Sequence, residues 1–340
     1  MIRIAVDAMS GDYGSAMVVD AACGYLKKHN DVVLSLIGDA AELKTRLEQK
    51  QSARGGSIDA ERITIVPANQ VVEMNDSPAY ALRQKKDSSM RVAVNQVRDG
   101  LADACVSAGN TGALMATARF VLKTLTGIDR PAIVSPIPSR RGHTLMLDLG
   151  ASSESTAEQL FQFGVMGAVL AEAVHSVARP RLGLLNIGAE EIKGSPLIQD
   201  AGRLLDASGL NYIGFVEGDD IYIGDVDVVV CDGFVGNVAL KTSEGLGKLI
   251  AQFFREEFAR NWLTKTSAVL AMPVLRAFRD RVDPRRYNGA TLIGLQGTVV
   301  KSHGDADATA FASAIEVARR EVAHDVPRRI REQLARNLEK

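Results

Sequence analysis

The chain has 340 residues, 46% hydrophobic and 24% charged, which suits a large α/β domain with a substantial core and argues against a disordered chain. Its 40 basic and 41 acidic residues nearly cancel, to −1, so no chain-wide charge favours nucleic acid. Three isolated cysteines, Cys23, Cys105 and Cys231, form no CxxC pair; this argues against a zinc site or disulfide framework and suits buried thiols in a reducing compartment.

Met1–Asp7 is too short an apolar run for a signal peptide, and no uncharged apolar stretch reaches the ~18–20 residues of a membrane span, so a soluble protein is expected. Apolar runs at Ile2–Val6, Val32–Ile37, Ile63–Val66, Ala104–Val106, Ala132–Ser135, Thr144–Leu147, Leu182–Leu185, Tyr212–Val216 and Val226–Cys231 predict strands. Helical periodicity lies between them, as at Met17–His29, Gly112–Lys123, Ala157–His175 and Leu197–Ala207. Alternation of near-continuous apolar strands with helices predicts a mostly parallel sheet covered on both faces. Pro136–Gly142 joins two strands without a helix, so a hairpin, and hence a mixed sheet, is expected. From Phe234 to about Val282 the chain reads as helix, with a corner near Met272 because Pro273 disfavours helix before it. Strands Thr291–Leu295 and Thr298–Lys301 and one final helix from Ala306 to beyond Glu332 complete the prediction.

In such sheets, ligands collect where strand ends lead into helix N-termini, whose free N–H groups favour anions. Five loops have that form. Ser107-Ala-Gly109-Asn110-Thr111-Gly112 combines small residues with capping side chains and suits an anion. Asp232-Gly233-Phe-Val-Gly236-Asn237 precedes a helix in which Asn237 and Lys241 share a face. Asn186–Gly194 places two acids, Lys193 and two glycines in one loop, suited to orienting a phosphate or an acyl carbonyl. Lys301-Ser302-His303-Gly304 enters the last helix, and Asp7–Asp12 ends the first strand as a phosphate or weak metal loop. Taken singly, each also suits a plain capped turn or polar surface loop.

No GxGxxG follows a strand, and Gly245-Leu-Gly247, inside a helical run, suits helix packing. GxxxxGK[ST], HExxH and GxSxG are missing, which disfavours a dinucleotide cofactor, a P-loop kinase and a serine hydrolase. An enzyme of this kind works by positioning two ligands and stabilising developing charge.

The loops, in this order, resemble the bacterial phosphate acyltransferase family, the PlsX-type acyl-acyl-carrier-protein:phosphate transacylases. The resemblance rests on Ile4-Ala-Val-Asp-Ala-Met-Ser-Gly-Asp12, Ser107-Ala-Gly-Asn-Thr-Gly-Ala-Leu114, Leu147-Asp-Leu-Gly-Ala151, Gly183-Leu-Leu-Asn-Ile-Gly188 with Glu190-Glu-Ile-Lys-Gly194, Asp232-Gly-Phe-Val-Gly-Asn-Val-Ala-Leu-Lys241 and Val300-Lys-Ser-His-Gly304. It implies transfer of a fatty acyl group from acyl carrier protein to inorganic phosphate, giving acyl phosphate for phospholipid synthesis. The implied fold is a three-layer α/β/α sandwich with a mostly parallel, mixed, Rossmann-like sheet, akin to isopropylmalate dehydrogenase and the phosphotransacetylases, and the implied assembly is a homodimer. Lys193, His303 and Asn237 become the catalytic candidates. Ser107, Gly109, Asn110, Thr111, Asp232, Gly233, Lys241 and Asp7 become the phosphate- or substrate-binding ones; no metal or organic cofactor is implied. Three departures stand out: Ser10 in the first loop, Gly150-Ala-Ser-Ser-Glu-Ser155 in place of a cysteine-bearing segment, and Asp305 beside His303, placed to cap the helix or to repel phosphate.

The family's carrier protein is acidic, so a basic docking patch is expected. Between Arg260 and Arg286 seven basic side chains face two acidic ones, +5, interleaved with apolar residues at helical spacing. The chain is therefore expected to be one catalytic domain, 1–340, with an amphipathic helical segment at 248–288 that meets the carrier or the inner face of the membrane; the resemblance also implies contact there with a membrane glycerol-3-phosphate acyltransferase, and a dimer-interface or core helix with a solvated face is the plainer alternative. A decarboxylating dehydrogenase, a phosphotransacetylase using coenzyme A and a non-enzymatic membrane scaffold are the competing readings.

Overall fold

Strand and helix alternate from the first residues. A computed structural model describes residues 1–53 and 60–338. In chain order it gives β1 (Ile2–Asp7), α1 (Gly14–Leu26), β2 (Val32–Gly38), α2 (Ala40–Ala53), β3 (Ile63–Pro67), α3 (Pro78–Gln84), α4 (Ser89–Arg98), β4 (Ala104–Ser107), α5 (Thr111–Leu122), β5 (Ala132–Ser139), β6 (Gly142–Leu147) and α6 (Ala157–His175). Then come β7 (Leu182–Leu185), α7 (Pro196–Ala207), β8 (Tyr212–Val216), α8 (Asp220–Ile223), β9 (Val228–Val230), α9 (Gly233–Ala259), α10 (Trp262–Val282), β10 (Ala290–Ile293), β11 (Thr298–Lys301), α11 (Ala308–Ala323) and α12 (Val326–Leu338).

The strands form one mixed sheet in the order β3-β2-β1-β4-β11-β10-β5-β6-β9-β7-β8. Alternate residues of each strand serve opposite layers, as the two-residue period of a strand requires. Cys105, Val299, Ile133, Met146 and Val229 pack beneath α3, α4, α5, α8 and the start of α9. Ala104, Val106 and Val300 pack against α1 and α11, and Leu145, Leu147 and Val230 against α6 and α12. The result is the expected α/β/α sandwich. The hairpin is present too, with Ser139 opposite Gly142. All three cysteines are buried.

Three expectations need correction. The long helical stretch breaks at Arg260–Asn261, not at Pro273, which lies inside α10. Asn261 makes the break: its side chain accepts from Thr264 N (3.0 Å) while Thr264 Oγ1 accepts from Asn261 N (3.1 Å), a reciprocal cap that starts a new helix. The final helix is two, divided at Asp325, whose φ is +49°. Pro327 was the signal for this, since proline fits a first helical turn where no N–H is required. A Cβ on Gly245 or Gly247 would meet nothing within 4 Å among the described residues, so the expected packing role is not seen there.

Helices α9 and α10 pack on each other, and both present apolar side chains to solvent: Leu246, Phe253 and Phe254 from α9, and Trp262, Leu270, Val274 and Phe278 from α10. The side chains of residues 279–282 and 284, part of the basic stretch, lie outside the described ones.

Candidate active site

The sheet changes direction in its middle. β10 is antiparallel to β11 and to β5, and β5 to β6, whereas β6, β9, β7 and β8 are mutually parallel. Strands β6, β9 and β7 therefore run opposite to β1, β4 and β11. The loops after Asp7, Ser107 and Lys301 leave by one edge, and those after Leu147, Leu185 and Val230 by the other. Sequence periodicity carries no strand direction, so the candidates appeared to share one edge; they occupy two.

At the first edge, Asp7, Ser107 and Lys301 end three adjacent strands, with Lys301 paired to Ser107 and Val106 to Val6. Asp7 is 0% exposed, and Ser107 is buried beside it. Ser107 Oγ donates to Asp7 Oδ2 (2.6 Å) and accepts from Gly109 N (3.1 Å), while Ser10 Oγ accepts from Ala108 N (3.1 Å). Asp7 thus anchors the loop from below and has no direct access to a ligand. Burial pushes its carboxyl above the usual carboxylate range, against the lowering effect of the Ser107 hydroxyl. Gly109 sits in a tight space: a Cβ there would lie 2.6 Å from Met90 Cε and 3.3 Å from Ser10 Cβ and Ser107 Oγ. Ser10 lies just beneath the same loop, which explains the small residue at that position.

Asn110 is the N-cap of α5. Its Oδ1 accepts from Ala113 N (2.9 Å), and its Nδ2 donates to Met74 O (2.7 Å) and Asp76 O (3.0 Å). The cap leaves the N–H groups of Thr111 and Gly112 without an acceptor among the described residues, and both residues are exposed. They are the unmatched donors of a helix start. His303 lies exposed nearby in the chain after Lys301, its Nδ1 against the Asp305 carboxylate. Asp305 is therefore not a helix cap; Asp307 is, accepting from Ala310 N (2.8 Å).

At the second edge, Asp232 Oδ1 accepts from Phe234 N and Val235 N, both at 3.0 Å. These α9 donors are satisfied within the chain, so the expectation that they hold phosphate is withdrawn, and Asp232 is a cap. Gly233 is likewise a packing position, because a Cβ would lie 2.5 Å from Asp148 Oδ2. Asn237 is exposed and lies over Gly150. Lys241, one turn on, is exposed and pairs with Glu244 (2.8 Å). Lys193 is exposed; its backbone is fixed by Lys193 N donating to Glu190 O (3.0 Å) and by Asn186 Nδ2 donating to Lys193 O (3.2 Å). Its ammonium makes no ion pair among the described residues. Among the described residues no hydrogen bond or ion pair joins Lys193 to His303. Helix α9 links the edges: Asn237 touches the second, while Lys241 lies close enough to Lys301, at the first, to repel its charge.

Two polar residues were passed over as site candidates. Asp148 is fully buried and accepts from the N–H groups of Ile133, Gly150, Ala151 and Ser152 and from Ser152 Oγ, at 2.9–3.1 Å, so it organises the loop beneath α9. Lys301 is 8% exposed, and burial lowers its pKa to about 8. Its signal was a lysine closing an otherwise apolar central strand.

The chain matches the family described as "Fatty acid synthesis protein" over residues 2–329. It is 57% identical to a phosphate acyltransferase of Nitrosococcus oceani, covering 97% of this chain and 95% of that one. A phosphate acyltransferase of Alkalilimnicola ehrlichii is 56% identical, with 98% and 96% covered. Among solved structures, a phosphotransacetylase from Streptococcus pyogenes superposes with TM-score 0.65 at 17% identity, covering 95% and 94% of the two chains. A 4-hydroxythreonine-4-phosphate dehydrogenase from Klebsiella pneumoniae does so at 0.54 and 14%, covering 94% and 99%. At these identities the structural likeness speaks to the fold alone, and the fold is the one expected.

Proposed function

The chain belongs to the fatty acid synthesis protein family, as a phosphate acyltransferase, and from that premise we propose that it moves a fatty acyl group from acyl carrier protein to inorganic phosphate. The observation that carries the reading is the α5 entrance: two helix-start N–H groups without acceptors, on a loop of small residues anchored from below. This is a seat for an anion of phosphate size.

Phosphate is already anionic at neutral pH, so no protein nucleophile is required. Its oxygen attacks the thioester carbonyl carbon and forms a tetrahedral oxyanion. That intermediate collapses by expelling the carrier's thiolate, leaving acyl phosphate and, after protonation, the free carrier thiol. The oxyanion needs fixed donors or positive charge. Asn237 and Lys193 are assigned this role at the thioester end of α9, and Lys241 and His303 flank phosphate at the other. Asn237 and Lys241, four residues apart, are separated by ~6 Å along the helix, a span that fits adjacent thioester and phosphate.

The test is purified protein with acyl-acyl carrier protein and inorganic phosphate, following acyl phosphate and free carrier thiol. Stoichiometric formation of both is expected. Reaction with acyl-coenzyme A alone would instead make the chain a phosphotransacetylase, and no reaction with either donor would favour a scaffold.

The acyl phosphate is assigned to phosphatidic acid synthesis, passing to a membrane glycerol-3-phosphate acyltransferase. The protein acts as a cytoplasmic homodimer lying on the inner face of the membrane. Support comes from the apolar residues exposed on α9 and α10, neither of which is long and apolar enough to cross a membrane. The segment 248–288 is assigned to that contact, with its basic residues available to the acidic carrier or to anionic lipid. In flotation with anionic phospholipid vesicles, Leu270→Glu with Phe278→Glu is expected to lower the bound fraction about tenfold or more, since each buried apolar side chain contributes ~1.5–3 kcal/mol. Unchanged flotation by the folded variant removes this helix from the membrane contact.

A further inference from the structure

Lys301 closes β11, a central strand whose other three residues, Thr298, Val299 and Val300, are buried. A lysine there is costly, because its ammonium leaves water. Its Nζ donates to Ala108 O (3.4 Å) and to Ser302 O, one carbonyl from each of the loops that follow β4 and β11. It makes no ion pair among the described residues. Asp7, two strands away on the same sheet face, is near enough to favour the charged lysine, yet Asp7 Oδ1 is buried without a partner. Ser107 stands between them and bonds Asp7. A simple buried salt bridge would join these groups directly; here each is left with unmet capacity on either side of the loop that enters α5.

We propose that Lys301 is a positioning residue of the phosphate seat: its buried ammonium ties the Ser107–Gly112 loop to the β11 loop and supplies the fixed positive charge that lets the α5 entrance hold an anion above Asp7. The inference rests on reading that entrance as the phosphate seat. The charged groups facing Lys301 are Asp7 from β1, Asp12 from the β1–α1 loop, Asp305 from the β11–α11 loop and Lys241 from α9. Without Lys301, the buried positive charge that offsets Asp7, Asp12 and Asp305 beneath the seat would be lost. A neutral side chain of equal length would fill the space but leave Ala108 O and Ser302 O without their donor.

The charge is also one that titrates within reach of experiment, since burial lowers the lysine's pKa to about 8. Phosphate binding is therefore expected to weaken as pH rises through that value, over a range in which phosphate itself stays a dianion. The experiment compares the full-length wild type with Lys301→Met and Lys301→Arg, measuring inorganic phosphate affinity by calorimetry and the KM for phosphate and for the acyl donor across pH. Lys301→Met is expected to raise the phosphate KM about tenfold or more at neutral pH, the scale of a lost charged hydrogen bond, with the donor KM little changed. Lys301→Arg is expected to bind phosphate at neutral pH and to lose the alkaline fall, because arginine does not titrate there. Wild-type phosphate affinity in a folded Lys301→Met, or an alkaline fall that persists in Lys301→Arg, overturns the proposal. If Lys301→Met does not fold, the pH profile of Lys301→Arg decides. A wild type that turns over while Lys301→Met binds phosphate normally defeats this inference alone; a wild type that neither binds phosphate nor turns over defeats the seat itself.

Discussion

Lys193→Ala is expected to lower acyl-phosphate formation about 100- to 1,000-fold, the usual loss when one donor to a tetrahedral oxyanion is removed. The thermal midpoint is expected to stay near the wild-type value, because Lys193 is exposed and its ammonium makes no ion pair among the described residues. The loop, in contrast, is held without its side chain. Asn186 Nδ2 donates to Lys193 O, Gly194 takes φ +89°, and Lys193 N donates to Glu190 O, all through backbone atoms that alanine keeps. Lys193→Arg retains the charge but not its point geometry and is expected to recover only part of the rate. The kcat and the KM for phosphate separate two roles: a fall confined to kcat supports stabilisation of the oxyanion, and a rise confined to the phosphate KM moves Lys193 to phosphate binding. Full activity removes it from the reaction.

Much of this architecture was legible because apolar runs and helical spacing are local. Ala157–His175 and Leu182–Leu185 match their predicted limits, and Asn110, a strong capping residue after a strand, starts α5 where capping chemistry requires. What failed was non-local. Nothing in the spacing of Lys193 and His303 tells that β7 and β11 run in opposite directions; only the pairings through β10, β5 and β6 decide it. Ser107 and Asp7 were read as ligand contacts because polar residues at strand ends usually face outward. Their strand register turns them inward, where Ser107 Oγ donates to Asp7 Oδ2. Asp232 shows the same competition at a helix start: a carboxylate that caps its own helix uses the donors an external anion would need. Lys301 is the reverse case, a charge at the end of an apolar strand that the sequence shows only as part of a loop entering the last helix, and that the fold buries.

Gly236→Ala is expected to destabilise the protein by more than about 3 kcal/mol, beyond the usual cost of overpacking, because the clash is with backbone and cannot relax by a rotamer change. A Cβ on Gly236 would overlap the Asp148 carbonyl oxygen and lie 2.8 Å from Cys231 Sγ. Asp148 cannot retreat, since its carboxylate holds four backbone N–H groups and Ser152 Oγ. Gly245→Ala, two and a half turns further along the same helix, has open space around the new methyl and is expected to stabilise by roughly 0.5–1 kcal/mol through helix propensity. Urea unfolding of the two variants side by side measures both. The contrast separates a glycine that allows close approach from one that only loosens a helix. It bears on function because the first turn of α9 is pinned at Asp148, while Asn237 and Lys241 project from the two turns that follow. A Gly236→Ala protein that remains folded is therefore expected to lose activity out of proportion to its stability, as α9 is lifted and both side chains move off the reacting groups. Wild-type stability in Gly236→Ala would mean that contact with Asp148 does not fix the helix, and the placement of Asn237 and Lys241 would then need another cause.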